Sequence, residues 1–332
     1  MPEHREEDYV NLKVKPFDAK SIKNFDDFLN ALKYCSFQGR NLGIALDILY
    51  KMATNEECLT VLALSGAMVP AGMGELLCLL IEHKIVDVVV TTGANTIHDL
   101  VDAFANVGHF IGSPNVDDDE LFELRINRIY DTFLPERNYK NAEEHMLSLI
   151  KELYGTNKKI STTPSELLKK LGLKIKERCL ISVAAKYNVP IFVPAFSDSE
   201  FALNLLKYTV REGYDFKIDV LKDVLNFAEI IKKSKEYGTL VIGGGVPRNW
   251  AQQVFPLLDQ IGGLEGKEMG YNYSVRIHTA TEYDGGLSGC TLSESKSWGK
   301  YALDAKTVSV WCDATIALPI LVMGLLQRLK ML

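Results

Sequence analysis

The sequence predicts an α/β fold: a doubly wound, largely parallel sheet with helices on both faces, in a single large domain. Three observations lead there. Short apolar or β-branched runs recur along the 332 residues. Most end in a loop of small or acidic residues, and a stretch with helical spacing of apolar residues follows. Parallel strands are covered on both faces, so they read as near-continuous apolar runs.

The elements follow in order. Residues 1–23 are polar at first and form an N-terminal extension to the domain at 24–332. Phe25, Phe28, Leu29 and Leu32 are spaced as a helix with Asn24 as its cap. A second helix covers Asn41 to Lys51. Leu59 to Leu64 is a strand running into Ser65-Gly66-Ala67-Met68-Val69-Pro70, and Leu76, Leu77, Leu80 and Ile81 mark the helix behind it. Ile85 to Val90 is a β-branched strand opening into Thr91-Thr92-Gly93-Ala94-Asn95, with a helix from near Thr96. Asp117 to Phe133 and Asn141 to Tyr154 read as amphipathic helices, and 155–164 as a polar connector. Pro164 suits the first turn of a helix capped by Thr163. Lys176 to Tyr187 is helical. Val189 to Ala195 is a strand ending at Asp198, followed by helices through Leu203 and Leu206 and from Asp219 to Lys235. Gly238 to Ile242 leads into Gly243-Gly244-Gly245 and a helix from about Arg248. Strands at Tyr271–Ala280 and Thr307–Cys312 and a closing apolar helix from Ala314 to Leu329 complete the chain. Such a sheet is Rossmann-like, and it binds ligands at the carboxyl ends of its strands. The loops at Ser65, Thr91, Asp198, Gly243, Thr279 and Asp313 converge there.

Composition narrows the function. The net charge of −6 argues against a general nucleic-acid binder, which would be basic. The six cysteines show no Cys-x-x-Cys pair and do not cluster with the six histidines, so no metal site is expected. Reduced thiols in a cytoplasmic protein are the simplest account. No apolar run reaches about 18 residues without charge, so no membrane span is expected.

Chemistry concentrates between Tyr283 and Tyr301. A glycine-rich loop leads to Ser297-Trp298-Gly299-Lys300. A lysine shielded by an aromatic ring loses its proton more readily, and the free amine is a nucleophile. The same lysine would be unremarkable on a solvated helix. Glu282, Asp284 and Glu294 nearby could hold a cationic amine or form a solvated acidic loop. The triple-glycine loop admits a close backbone approach by an anion or makes a tight turn. Asp198 and Asp313 could bind a ribose or cap the next helix. His98 and His278 flank the same face.

Four segments together resemble the deoxyhypusine synthase family: Leu64-Ser-Gly-Ala-Met-Val-Pro-Ala-Gly72, Val86-Asp-Val-Val-Val-Thr-Thr-Gly-Ala-Asn95 with Asp99, Gly243-Gly-Gly-Val246, and Ser297-Trp-Gly-Lys300. The likeness runs from about Phe25 to the C-terminus. It implies NAD-dependent transfer of the aminobutyl group of spermidine, through an imine on an enzyme lysine, to a lysine of the translation initiation factor 5A precursor. Lys300 matches that lysine, Trp298 the tryptophan beside it and Glu294 an acid of the amine site. Asn249, His98, Gly285, Gly286 and Leu287 match further substrate positions. Gly66, Ala67, Met68, Val69, Pro70, Thr92, Gly93, Ala94, Asp198, Gly244, Thr279, Ala280, Ser288, Asp313 and Ala314 match cofactor contacts. The family further implies a homotetramer whose sites lie at subunit contacts, with the N-terminal segment near the site mouth.

The departures are specific. Ile97 and His98 stand where the eukaryotic enzymes have an acidic pair, Asn249 where they have histidine, and Leu287 and Leu203 where they have acids. The alternatives are a transferase acting on a free amine, as in homospermidine synthesis, and one using another amine donor, with Glu282 or Glu200 as replacement acids.

Overall fold

The computed structural model describes residues 10, 12–105, 108–263 and 270–332. Among these the strands are β1 (Cys58–Leu64), β2 (Val88–Thr91), β3 (Phe110–Ile111), β4 (Ile126–Ile129), β5 (Thr132–Pro135), β6 (Lys159–Thr162), β7 (Ile191–Phe192), β8 (Asp215–Ile218), β9 (Glu236–Ile242), β10 (Tyr271–His278) and β11 (Tyr301–Trp311). Six of them form a parallel sheet in the order β11-β10-β9-β1-β2-β7. The chain builds outward from β1 through β2 to β7, then returns to the other side of β1 and continues through β9, β10 and β11. The order reverses between β1 and β9, the switch point at which a doubly wound sheet opens a crevice. Leu64 is level with both Thr91 and Ile242, and Ile242 with Ile277. The loops after these strands therefore start from one edge, as expected.

Alternate side chains of each strand enter different cores. Leu62, Leu64, Leu240, Ile242, Val275 and Ile277 pack with the helices Phe37–Thr54 and Ala314–Arg328. Val61, Val88 and Val90 face the opposite side, with Phe227, Ala251, Val254 and Phe255 of the helices Val220–Lys232 and Gly245–Gln260. The second layer carries the site.

Two readings of the sequence are corrected. The helix expected over Asp117 to Phe133 stops at Glu123, and β4 and β5 follow as an antiparallel hairpin. Arg125 and Tyr130 take positive φ without being glycine, so no glycine marked the breaks. The connector at 155–164 contains β6, which pairs with β8. Its sequence, Lys-Ile-Ser-Thr, is too short and polar to show a period. Boundaries also move: the strand at Val189–Ala195 shortens to Ile191–Phe192, and the helix at Lys176–Tyr187 begins at Leu180.

Of the N-terminal extension, residues 1–9 and 11 lie outside the described residues. Lys15 N–H donates to the Tyr34 carbonyl at 3.0 Å, and the Phe17 ring meets Phe28 edge-on. No helix among the described residues is long and apolar enough to cross a membrane.

Candidate active site

The helix Gly245–Gln260 starts directly behind the triple-glycine loop and presents Asn249 and Trp250 to a cavity of about 870 Å³. Lys300 enters from the opposite wall and is 8% exposed. Its Nζ donates to Asn249 Oδ1 at 2.7 Å and lies 5.7 Å from the Trp298 ring centre. Gly285, Gly286, Leu287, Glu294 and Trp298 line the same space. Glu282 and Asp284 add carboxylates to it, and Phe227 packs against Trp250 with ring centres 5.1 Å apart. Burial moves the Lys300 amine below its ordinary range, Arg248 pushes the same way, and Cys290 and Glu294 oppose. Trp298 is 65% exposed in the single chain while Lys300 beside it is buried. The helix Gly245–Gln260 and the loop through Cys290 share the cavity wall with it.

That loop is held by arginines that sequence reasoning passed over. Arg248 donates to the Cys290 and Leu287 carbonyls, each at 2.7 Å. Arg276, inside β10, donates to Gly243 O at 3.0 Å, to Cys290 O at 2.9 Å and to Ser288 O. Arg276 thus ties the triple-glycine loop to the wall of the lysine cavity. A Cβ on Gly244 would come within 3.0 Å of Ser288 Oγ, so the two loops meet without room for a side chain. The available signal was a charged residue amid an apolar strand.

At the strand ends, Gly66 to Pro70 follow β1 and Thr92 to Ala94 follow β2. Buried Asn95 clamps them: its amide donates to Gly66 O at 2.9 Å and to Thr91 Oγ1 at 3.2 Å, and its carbonyl accepts from Val69 N–H. Asn95 closes the Thr91-Thr92-Gly93-Ala94-Asn95 motif, and no local pattern marks it as the joint between the two loops. The helices Gly93–Phe104 and Gly245–Gln260 start at this edge and direct free N–H groups toward it. Thr279 and Ala280 follow β10, and Asp313 and Ala314 follow β11. Asp313 caps its helix through Thr315 N–H at 2.7 Å. His278 closes β10 with both ring nitrogens buried and unpartnered among the described residues, and burial lowers its pKa to about 4. Open glycine backbone, two helix N-termini and an unpaired imidazole at one crevice fit a dinucleotide with a phosphate bridge and polar ring substituents.

Other expected residues stand apart. His98 does not line the lysine cavity of this chain. Its Nδ1 meets His109 Nε2 at 2.8 Å, His109 Nδ1 meets Asp102 at 2.6 Å, and Tyr139 OH reaches His98 Nε2 at 3.3 Å. Asp99 accepts the N–H groups of Leu180 and Ile181, both at 2.8 Å, and so caps a helix. Asp198 is exposed, and Ser199 rather than Asp198 caps the helix Glu200–Glu212. Glu200 pairs with Lys207 at 2.7 Å, in a different groove. Among the described residues no group of three or more His, Cys, Asp or Glu side chains could hold a metal.

Comparison with known proteins agrees with this geometry. The family model described as deoxyhypusine synthase matches residues 27–325. The chain is 35% identical over 328 residues to "Probable deoxyhypusine synthase 2" of Methanosarcina mazei, covering 97% of this chain and 92% of that one. It is 40% identical over 294 residues to a protein of the same description from Archaeoglobus fulgidus, covering 87% and 94%. A crystal structure from Entamoeba histolytica, described as a "putative deoxyhypusine synthase", shares the fold with a TM-score of 0.64 at 21% identity, over 94% of this chain and 96% of that one.

Proposed function

The chain belongs to the deoxyhypusine synthase family, a family of transferases, and on that premise we propose that it moves the aminobutyl group of spermidine to a lysine of the translation initiation factor 5A precursor, with NAD as cofactor. The observation that carries this reading is Lys300: a buried amine of lowered basicity, hydrogen-bonded to Asn249 in a cavity with acids and aromatic rings. A binding protein has no use for such a nucleophile.

NAD supplies a hydride acceptor, and afterwards the donor, when bound at the carboxyl ends of β1, β2, β9, β10 and β11. Lys300 adds its lone pair to the imine carbon of the oxidised amine, and diaminopropane departs with the displaced nitrogen. The four-carbon unit stays as an imine on Lys300 until an acceptor amine displaces the lysine in turn. Glu294, with Glu282 and Asp284, balances the positive charge of the incoming amine. Phe227, Trp250 and Trp298 give its methylene chain an apolar wall and its ammonium a ring face.

Leu287 favours a second reading. It lines the cavity where the eukaryotic enzymes have an aspartate, and that acid is not replaced in place. A free amine as acceptor, or a donor with one charge fewer, suits this wall better. We place the protein in the cytoplasm, in keeping with its six free cysteines, and expect a homotetramer. Sedimentation would measure the assembly.

The test is incubation with NAD, a panel of labelled amines including spermidine, and the factor precursor, followed by borohydride. Label is expected on the peptide bearing Lys300, and Lys300→Ala loses it. Absence of trapped label with every amine would refute the assignment. Label on the enzyme without label on the factor would select the free-amine reading.

A further inference from the structure

Two arginines stand inside the protein with no ion pair among the described residues. Arg248 and Arg276 are each 1% exposed. Every hydrogen bond they make among the described residues goes to a main-chain carbonyl, and both share that of Cys290. Arg248 Nε has no partner there at all. A buried cation is ordinarily paired, because carbonyl dipoles replace hydration but cancel no charge. The field of such a charge in a dry interior reaches its neighbours with little screening.

We propose that Arg248 is a positioning residue for Lys300, fixing the loop Leu287–Cys290 against the helix that carries Asn249 and using its unpaired charge to keep the lysine a free amine. The proposal rests on the reading of Lys300 as nucleophile. It addresses a conflict inside the cavity. Glu282, Asp284 and Glu294 suit a cationic substrate, but Cys290 and Glu294 favour a protonated lysine. Arg248 is next in sequence to the asparagine that accepts the Lys300 hydrogen bond and is absent from the cavity lining, and its charge acts on the lysine against Glu294. Burial and Arg248 lower the basicity of Lys300, while Cys290 and Glu294 raise it. Arg276 braces the arrangement by holding Gly243, Ser288 and Cys290 together, and its own pKa falls to about 10 through burial and the nearness of Arg248.

The test needs no polyamine, so it reads separately from transfer activity. Trace labelling with acetic anhydride across a pH series, resolved by peptide mass spectrometry, gives the midpoint of Lys300 deprotonation. The wild-type midpoint is expected below the ordinary lysine value of 10.5. R248Q keeps an amide for one carbonyl and removes the charge. Its midpoint should rise, with a loss of free amine at neutral pH. R248K keeps the charge and loses the fork, and its midpoint should stay with wild type. An unchanged midpoint in folded R248Q, or an equal rise in both variants, would overturn the proposal. If R248Q does not fold, a low wild-type midpoint preserved in R248K supports it. An ordinary wild-type midpoint, or a rise in R248K, defeats it.

Discussion

Burial decides the charge state of the side chains that matter most here. His98 and His278 are 7% and 5% exposed, and burial lowers each from 6.5 to about 4. Between those values the unfolded chain binds protons that the folded chain refuses, so stability falls as pH drops from about 6.5 to 4. Each histidine held neutral by the fold therefore lowers stability as pH falls across that window. Asp99 acts in the opposite sense, since burial raises it from 3.8 to about 6 and the folded chain takes up its proton first. Two histidines outweigh one aspartate, so urea denaturation should show lower stability at pH 5 than at pH 7. His278→Asn should flatten that slope, and an unchanged slope would mean His278 is not the buried neutral group described. None of this was legible from residue type, because a histidine in sequence carries no sign of its solvent. Lys300 differs: its place behind Ser297-Trp298-Gly299 announces a chemistry, although only the fold brings Asn249 to its amine.

Among the elements, the packing of Gly93 is the most exacting. A Cβ there would lie 2.3 Å from Ser199 Cβ, in the loop that follows β7. The start of the helix Gly93–Phe104 is thereby set against a neighbouring strand-end loop. Gly93→Ala should force them apart and cost about 1–3 kcal/mol, measured as a lower melting temperature. At the helix Pro164–Gly172, Thr163 is the cap that the Thr-Pro sequence suggested, and Glu166 returns the bond to complete a reciprocal pair. Thr163→Ala should cost about 1 kcal/mol in denaturant midpoint. Caps of this kind are local and were readable. The β4–β5 hairpin was not, because its turn at Tyr130-Asp131 puts a tyrosine, not a glycine, at positive φ. Asp99 was quoted as part of a motif, and only the fold shows that its partners are Leu180 and Ile181, far along the chain.

For the whole molecule, the sheet order places the strand-end loops at one edge and the lysine cavity against the adjoining helix layer, with Ser288 and Arg276 between them. A ligand bound there only in the folded state stabilises the entire chain. NAD at about a hundred times its dissociation constant should add about 2.7 kcal/mol. That corresponds to a rise of roughly 5 °C in melting temperature. No rise at saturating NAD would count against a dinucleotide at the switch point. The sequence by itself determined the layer order of strand, loop and helix, the loops that meet at the strand ends, and the lysine of the candidate site. These follow from short-range periodicity and from motifs a few residues long. Only the tertiary structure decided that Arg248 and Arg276 lie buried on main-chain carbonyls, that Asn95 joins two loops, and that His98 meets His109 away from the lysine cavity. Charge state and contact depend on which distant segments exclude water, and no local pattern encodes that.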